Sequence, residues 1–167
     1  RSIGILAIVA AAAGLALYGN IIDDAYVLVR QEDADAFQWV QASTPPQAKF
    51  LANSFFVSGE RGTVVGSDAG WWLPLVTGRR ASVPVINYVN EVVSPEYVDE
   101  VQELAHLDTE AIVGPEGTGT LCRYQITHIY VGATGGRLDA EAIARCGRYP
   151  LVYKDGSIRV FAVNCTP

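Results

Sequence analysis

The chain has 167 residues, a length that suits one domain with an appendage rather than two domains. Half of the residues are hydrophobic and 18% are charged, which is enough apolar material for a sizeable core and too much for a disordered chain. With 18 acidic and 12 basic residues the net charge is −6, and no basic cluster exceeds the pair Arg79 and Arg80, which argues against nucleic acid or an anionic lipid surface as a partner.

The chain contains no Met and begins at Arg1, the pattern expected of a processed product or a piece of a longer protein. Residues 2–22, SIGILAIVAAAAGLALYGNII, carry no charge, and Ser2, Tyr18 and Asn20 are their only polar side chains. As a helix this stretch rises roughly 30 Å, the thickness of a bilayer's hydrocarbon core. It lacks the polar face of a surface helix. The expectation is a transmembrane helix within residues 1–24, embedded in membrane lipid, and an extracytoplasmic domain over residues 25–167. A buried Ala-rich core helix, a helix packed in a filament, and a secretory signal are the alternatives; a signal has a shorter apolar core and ends in a cleavage site. Gly4, Ala7, Ala10, Ala11 and Gly14 recur at spacings of three and four and allow close packing against other transmembrane helices. Arg1 before the run and Asp23 and Asp24 after it place the N-terminus in the cytoplasm by the positive-inside rule.

Residues 32–43 read as a helix capped by Glu32 or Asp33, with Ala36, Phe37, Val40 and Trp39 on its apolar face and Pro45 and Pro46 ending it. Residues 49–53 and 63–66 are strand candidates, the second entered by a turn at residues 59–62. Ser67 or Asp68 then caps a short helix through Trp71, Trp72, Leu75 and Val76, closed by Gly78. Residues 82–86 read as extended around Pro84. Ser94 and Pro95 open the next helix, with acidic residues in its first turn. A Gly-rich stretch at 114–119 interrupts the chain; it matches neither phosphate-binding signature. Residues 127–131, THIYV, form the best strand, being β-branched and aromatic, and are followed by the turn GATGG. Residues 138–145 read as helical, and a terminal hairpin of residues 151–153 and 157–163 turns at Asp155 and Gly156. Strands and helices alternate, so the fold class is α/β: after the N-terminal transmembrane helix, a small layered mixed α/β domain with a C-terminal β-hairpin.

Three cysteines, Cys122, Cys146 and Cys165, show no CxxC pair and no His at metal-ligand spacing, so neither a metal site nor a cofactor motif is expected. Outside the cytoplasm one disulfide with one cysteine left over is the natural reading. Cys122 with Cys146 is the first choice, Cys146 with Cys165 the second, and three buried free thiols the remaining case.

The segment GSDAGWWLPLVTGRR, residues 66–80, places an acid, two adjacent tryptophans and two arginines together. Adjacent tryptophans on a helix cannot both face one core, so one of them stands at a groove or at a membrane surface. Asp68, Trp71, Trp72 and Arg79 are the candidate binding residues, for a sugar or a polar lipid headgroup. The competing reading is structural: Asp68 caps the helix and pairs with Arg79 while one Trp fills the core. His106 reads as a solvated residue at a helix C-terminus, and His128 as a structural strand residue with no nucleophile beside it. Glu91 is a further acid that could reach the tryptophans. No catalytic residue is assigned.

The order DADAFQWVQASTPPQAKFLANS, VVGSDAGWWLPLVTGRRASVPVINYVNE, ITHIYVGATGG and YKDGSIRVFAV resembles the C-terminal extracytoplasmic portion of bacterial polytopic membrane glycosyltransferases of the family-39-like, C-type kind. The resemblance covers nearly the whole chain from Ala25 onward, and its specific part is SDAGWWLPLVTGR. It implies that residues 2–22 are the last span of a helix bundle, that the intact protein uses a lipid-linked sugar donor, and that its catalytic acid lies near the first membrane helices, outside this chain. Asp68, Trp71, Trp72 and Arg79 are similar to the tryptophan-aspartate block with which oligosaccharyltransferases recognise acceptor peptide. The residue order differs, so no catalytic role carries over. The expectation is a non-catalytic portion of a glycosyltransferase-like membrane protein. The alternatives are a single-span accessory or docking subunit and a pilin-like filament subunit, although RSIGIL lacks the early acid of a pilin.

Overall fold

The computed structural model describes residues 2–18, 27–59, 62–84 and 93–165. The apolar N-terminal run forms helix α1, Ser2–Tyr18. All of its residues whose surroundings are described, residues 4, 5 and 7–14, are exposed, with Ile5 at 64%, Ile8 at 70% and Val9 at 62%. At 17 residues α1 rises about 25 Å, and no described helix is long and apolar enough to cross a membrane. The rest of the expected span, and Arg1, Asp23 and Asp24, lie outside the described residues.

The domain is built on strands β1 (Lys49–Leu51), β4 (Arg80–Ala81), β5 (His128–Val131), β6 (Leu151–Asp155) and β7 (Ile158–Ala162), in the order β4-β1-β5-β7-β6. β4, β1 and β5 run parallel. The terminal hairpin then adds antiparallel to β5, with His128 opposite Ala162 and Val131 opposite Arg159. A separate antiparallel ribbon joins β2 (Ser54–Val57) to β3 (Thr63–Gly66).

Alternation along the strands sends side chains to two cores. Phe50, Tyr130, Ile158 and Val160 face helix α2 (Gln31–Ser43) and the short helix α3 (Leu73–Thr77), where Ala36, Phe37, Val40 and Leu73 meet them. Leu51, Ile129, Val131 and Phe161 face the opposite layer, helices α4 (Pro95–His106), α5 (Thr109–Val113), α6 (Gly117–Arg123) and α7 (Ala140–Arg145). The result is a three-layer α/β/α domain with the expected C-terminal hairpin. Fully burying a side chain such as Phe37 or Phe161 contributes about 1.5–3 kcal/mol.

Several elements depart from the expected pattern. β2 follows β1 after only Ala52 and Asn53, and it pairs with β3 rather than joining the main sheet. The extended segment expected at 82–86 is replaced by the two-residue β4, and residues 85 and 86 lie outside the described residues. The Gly-rich stretch is part turn and part helix, since residues 114–116 turn the chain and Gly117 opens α6. A Cβ on Gly117 would stand 2.0 Å from the Ile112 carbonyl oxygen, so this crossing of α5 and α6 requires glycine.

The disulfide joins Cys122 to Cys165, which overturns both expected pairings. Antiparallel pairing of β7 with β5 ends with the Val163 amide donating to the Thr127 carbonyl, 2.8 Å. The chain therefore returns to the foot of β5, where α6 delivers Cys122. Cys146 stays free and half-buried at the end of α7, its thiol donating to the Ile143 carbonyl, 3.0 Å.

Candidate functional site

The four candidate binding residues do not converge. Asp68 is fully buried and caps a single 3-10 turn, Ala69–Trp71, by accepting from the Gly70 amide at 2.8 Å. Its other oxygen accepts from Asn53 Nδ2 at 2.9 Å and from the Gly132 amide at 3.0 Å. The Asp68–Arg79 ion pair of the structural reading is not formed. Arg79 instead donates to the carbonyls of Gln41 at 3.0 Å, Thr44 at 2.9 Å and Thr77 at 3.1 Å, bridging the C-terminal ends of α2 and α3. A guanidinium is the right group there, because its rigid fork reaches several terminal carbonyls at once. Trp71 is half-buried, with its indole N–H on the Pro84 carbonyl at 3.0 Å. It packs on Gly66, where an added Cβ would meet the Trp71 Cβ at 2.3 Å. Trp72 points the other way and is 44% exposed, so the two adjacent rings part as expected.

Asp68 belongs to a different constellation, at the carboxyl ends of β1 and β5. Asp33, the third residue of α2, is also fully buried. It accepts from the Tyr130 hydroxyl at 2.8 Å, the Ala133 amide at 3.1 Å and the Arg30 amide at 2.8 Å. The expected capping role of Asp33 is thus a reach back to the residue before the helix. Gly132 passes between the two carboxylates: a Cβ there would lie 3.1 Å from an oxygen of each. Asn53 closes the cluster by accepting from the Leu138 amide at 2.9 Å. Burial pushes the Asp68 carboxyl up to about 6, against the pull of its three hydrogen bonds, and the Asp33 charge acts in the same upward direction. Burial first and Asp33 second raise the Tyr130 hydroxyl, which stays a donor.

This cluster occupies the crevice where β1 leads off toward β4 and β5 leads off toward the terminal hairpin, the place where open α/β sheets hold ligands. Here internal groups fill it. Each carboxylate is occupied by donors from its own chain, so the arrangement ties α2, β1, β5 and the Gly66–Gly70 segment together.

Two surface grooves accompany it. A groove of about 350 Å³ runs between α2 and α3 and is lined by Val29, Phe37, Gln41, Trp72 and Val76 among others. A wider one of about 590 Å³ lies along α4, with Asp99, Gln102, Glu103 and His106 on its walls. Of its polar groups, His106 Nδ1 meets the Gln102 carbonyl at 2.7 Å and Glu103 accepts from the Tyr124 hydroxyl, whereas the buried Gln102 Oε1 has no hydrogen-bond partner among the described residues. The His106 ring also lies against Phe56, 4.6 Å between centroids. His128 stacks on Phe50 at 4.8 Å, and burial lowers its pKa. Glu91 lies outside the described residues. Among the described residues no group of three or more His, Cys, Asp or Glu side chains is placed to hold a metal.

Sequence reasoning picked out Asp68 but missed Asn53, Tyr130 and Gly132. The available signal was the turn GATGG directly after the strongest strand, at the carboxyl end where α/β sheets place their ligands. Comparison with known proteins finds no matching family model, no matching curated protein and no matching solved structure.

Proposed function

We propose that the chain is the anchoring helix and extracytoplasmic domain of a membrane protein of the C-type glycosyltransferase kind, and that the domain is a non-catalytic module. The observation that carries the reading is α1. It has no polar face, and its described residues are exposed on every side, so water is an unfavourable surrounding and lipid a favourable one. The Cys122–Cys165 disulfide supports an oxidising compartment for the domain. The internally occupied carboxylates Asp33 and Asp68 support a scaffolding role. The glycosyltransferase kind rests on the resemblance of residues 66–80, and the donor sugar would be handled outside this chain. Of the four residues in that block, Trp72 is the exposed aromatic that a headgroup or acceptor would touch.

The test is carbonate extraction of the native protein from its source membrane, followed by protease added to the extracytoplasmic side. Retention in the membrane with removal of the domain is expected. Release of the intact chain into the supernatant overturns the reading. In the intact protein, Trp72→Ala is expected to lower sugar transfer several-fold. Unchanged transfer with the fold retained removes the acceptor contact.

The small-residue face of α1 favours a second reading, a one-span subunit or filament component whose helix packs against other helices. Intact mass and N-terminal sequence separate the two. A mass several-fold above that of 167 residues supports the glycosyltransferase kind, and a mass near it with Arg1 first supports the subunit.

A further inference from the structure

Helix α3 carries an apolar surface that the domain leaves open. Leu75 is 76% exposed and Val76 48%, beside the exposed ring of Trp72, and Val29 stands across the groove on the segment leading into α2. These side chains are neighbours by construction. Gln41 of α2 donates to the Val76 carbonyl at 2.8 Å, and Phe37 and Val76 line the same groove. Hydrophobic residues scattered singly over a surface need no explanation, but a contiguous group headed by Trp does.

The chain's entry into the domain ties this surface to α1. The chain enters the domain at residues 27–30, and the Thr134 hydroxyl pins that entry by donating to the Val27 carbonyl at 3.2 Å. Val29 is therefore part of both the entry segment and the apolar surface. Eight residues, 19–26, separate this entry from the end of α1. From Tyr18 to Val27 the chain makes nine residue steps, which fully extended reach at most about 30–32 Å, so Val27, two residues before Val29, lies within that distance of the end of α1. Trp is the side chain that settles at a lipid–water boundary, its ring in the apolar zone and its N–H in the wet one. The overall charge of −6 disfavours attraction to anionic lipid, so the contact chemistry is apolar insertion into a neutral interface.

We infer that the α2–α3 face, with Trp72 and Leu75 at its tip, rests on the phospholipid surface of the bilayer that α1 enters and sets the orientation of the domain on the membrane. The inference rests on the proposed anchoring by α1, and one preparation tests both. The full chain is reconstituted into phosphatidylcholine vesicles that carry lipids brominated near the headgroup end of the acyl chains. Flotation reads anchoring, and quenching of tryptophan fluorescence reads the surface contact.

Flotation with quenching that Trp72→Phe reduces by more than half supports the inference. The remaining tryptophans contribute little, because Trp39 is half-buried against Tyr153 and Trp71 packs on Gly66. Leu75→Glu supplies a variant that keeps the fold, since this side chain is exposed, and it is expected to cut the quenching at least twofold with an unchanged circular dichroism spectrum. Flotation without Trp72-dependent quenching overturns the lipid contact while anchoring stands. Failure to float overturns both.

Discussion

Asp68 and Gly132 show how tightly single positions are specified at the carboxyl end of the sheet. Asp68 holds its proton up to about 6 in the folded domain, against 3.8 for an ordinary aspartate. Between those values the folded state binds a proton that the unfolded chain has released, so stability rises as pH falls through 6, and the cost of the buried charge is fully present above pH 7. From this group alone the protein is expected to be roughly 1 kcal/mol more stable at pH 5 than at pH 7.5. Asp68→Asn keeps the shape and removes the titration. Urea unfolding at the two pH values should show that increment in the parent and not in the variant. Gly132→Ala pushes a methyl against two buried carboxylates that have no room to retreat. An overpacking loss of about 1–3 kcal/mol is expected, read as a lower unfolding midpoint with an unchanged slope. Asp68 was legible as a helix cap, because its type and position announce one. Its contact with Gly132 was not, because that depends on which strand lies beside which.

At the level of elements, the disulfide is the connection that composition reported and spacing misplaced. Three cysteines announce one bridge wherever the surroundings are oxidising. The partner is decided by β7 pairing back onto β5, a long-range contact with no local signature. The bridge closes a separation of 43 residues and contributes about 2–4 kcal/mol. Reduction, or Cys165→Ser, should therefore lower stability by that amount, whereas Cys146→Ser should change it by less than about 1 kcal/mol. Peptide mapping without reduction checks the pairing directly. Helix α2 was readable from its periodicity, and α4 from Ser94 and Pro95, whose side chain and ring set the N-terminus. The short helix α6 was not readable, because glycine at its first and third positions argues against a helix. Packing decides that case: Leu121 is fully buried, and Gly117 admits the Ile112 carbonyl.

Among the described residues, the molecule divides into an exposed apolar helix and a domain whose buried clusters draw on no residue of that helix. A chain shortened to residues 25–167 is expected to stay monomeric in solution without detergent and to unfold cooperatively, checked by sedimentation and circular dichroism. The 167-residue chain is expected to need detergent or lipid. The layered α/β character was legible because strand and helix periods alternate along the sequence. The arrangement of the sheet was not, because the terminal hairpin could have joined either edge.

The pairing of Cys122 with Cys165 also has a consequence for how the chain is made. Residues emerge in order during synthesis, so Cys146 becomes available to Cys122 well before Cys165 does. The first partner on offer is the wrong one. Correct closure waits for β7 to find its place beside β5, and until then the Cys122 thiol must be kept apart from Cys146 or be rescued by exchange. A strand that leaves the ribosome later is thus the one that tells an earlier cysteine where to go.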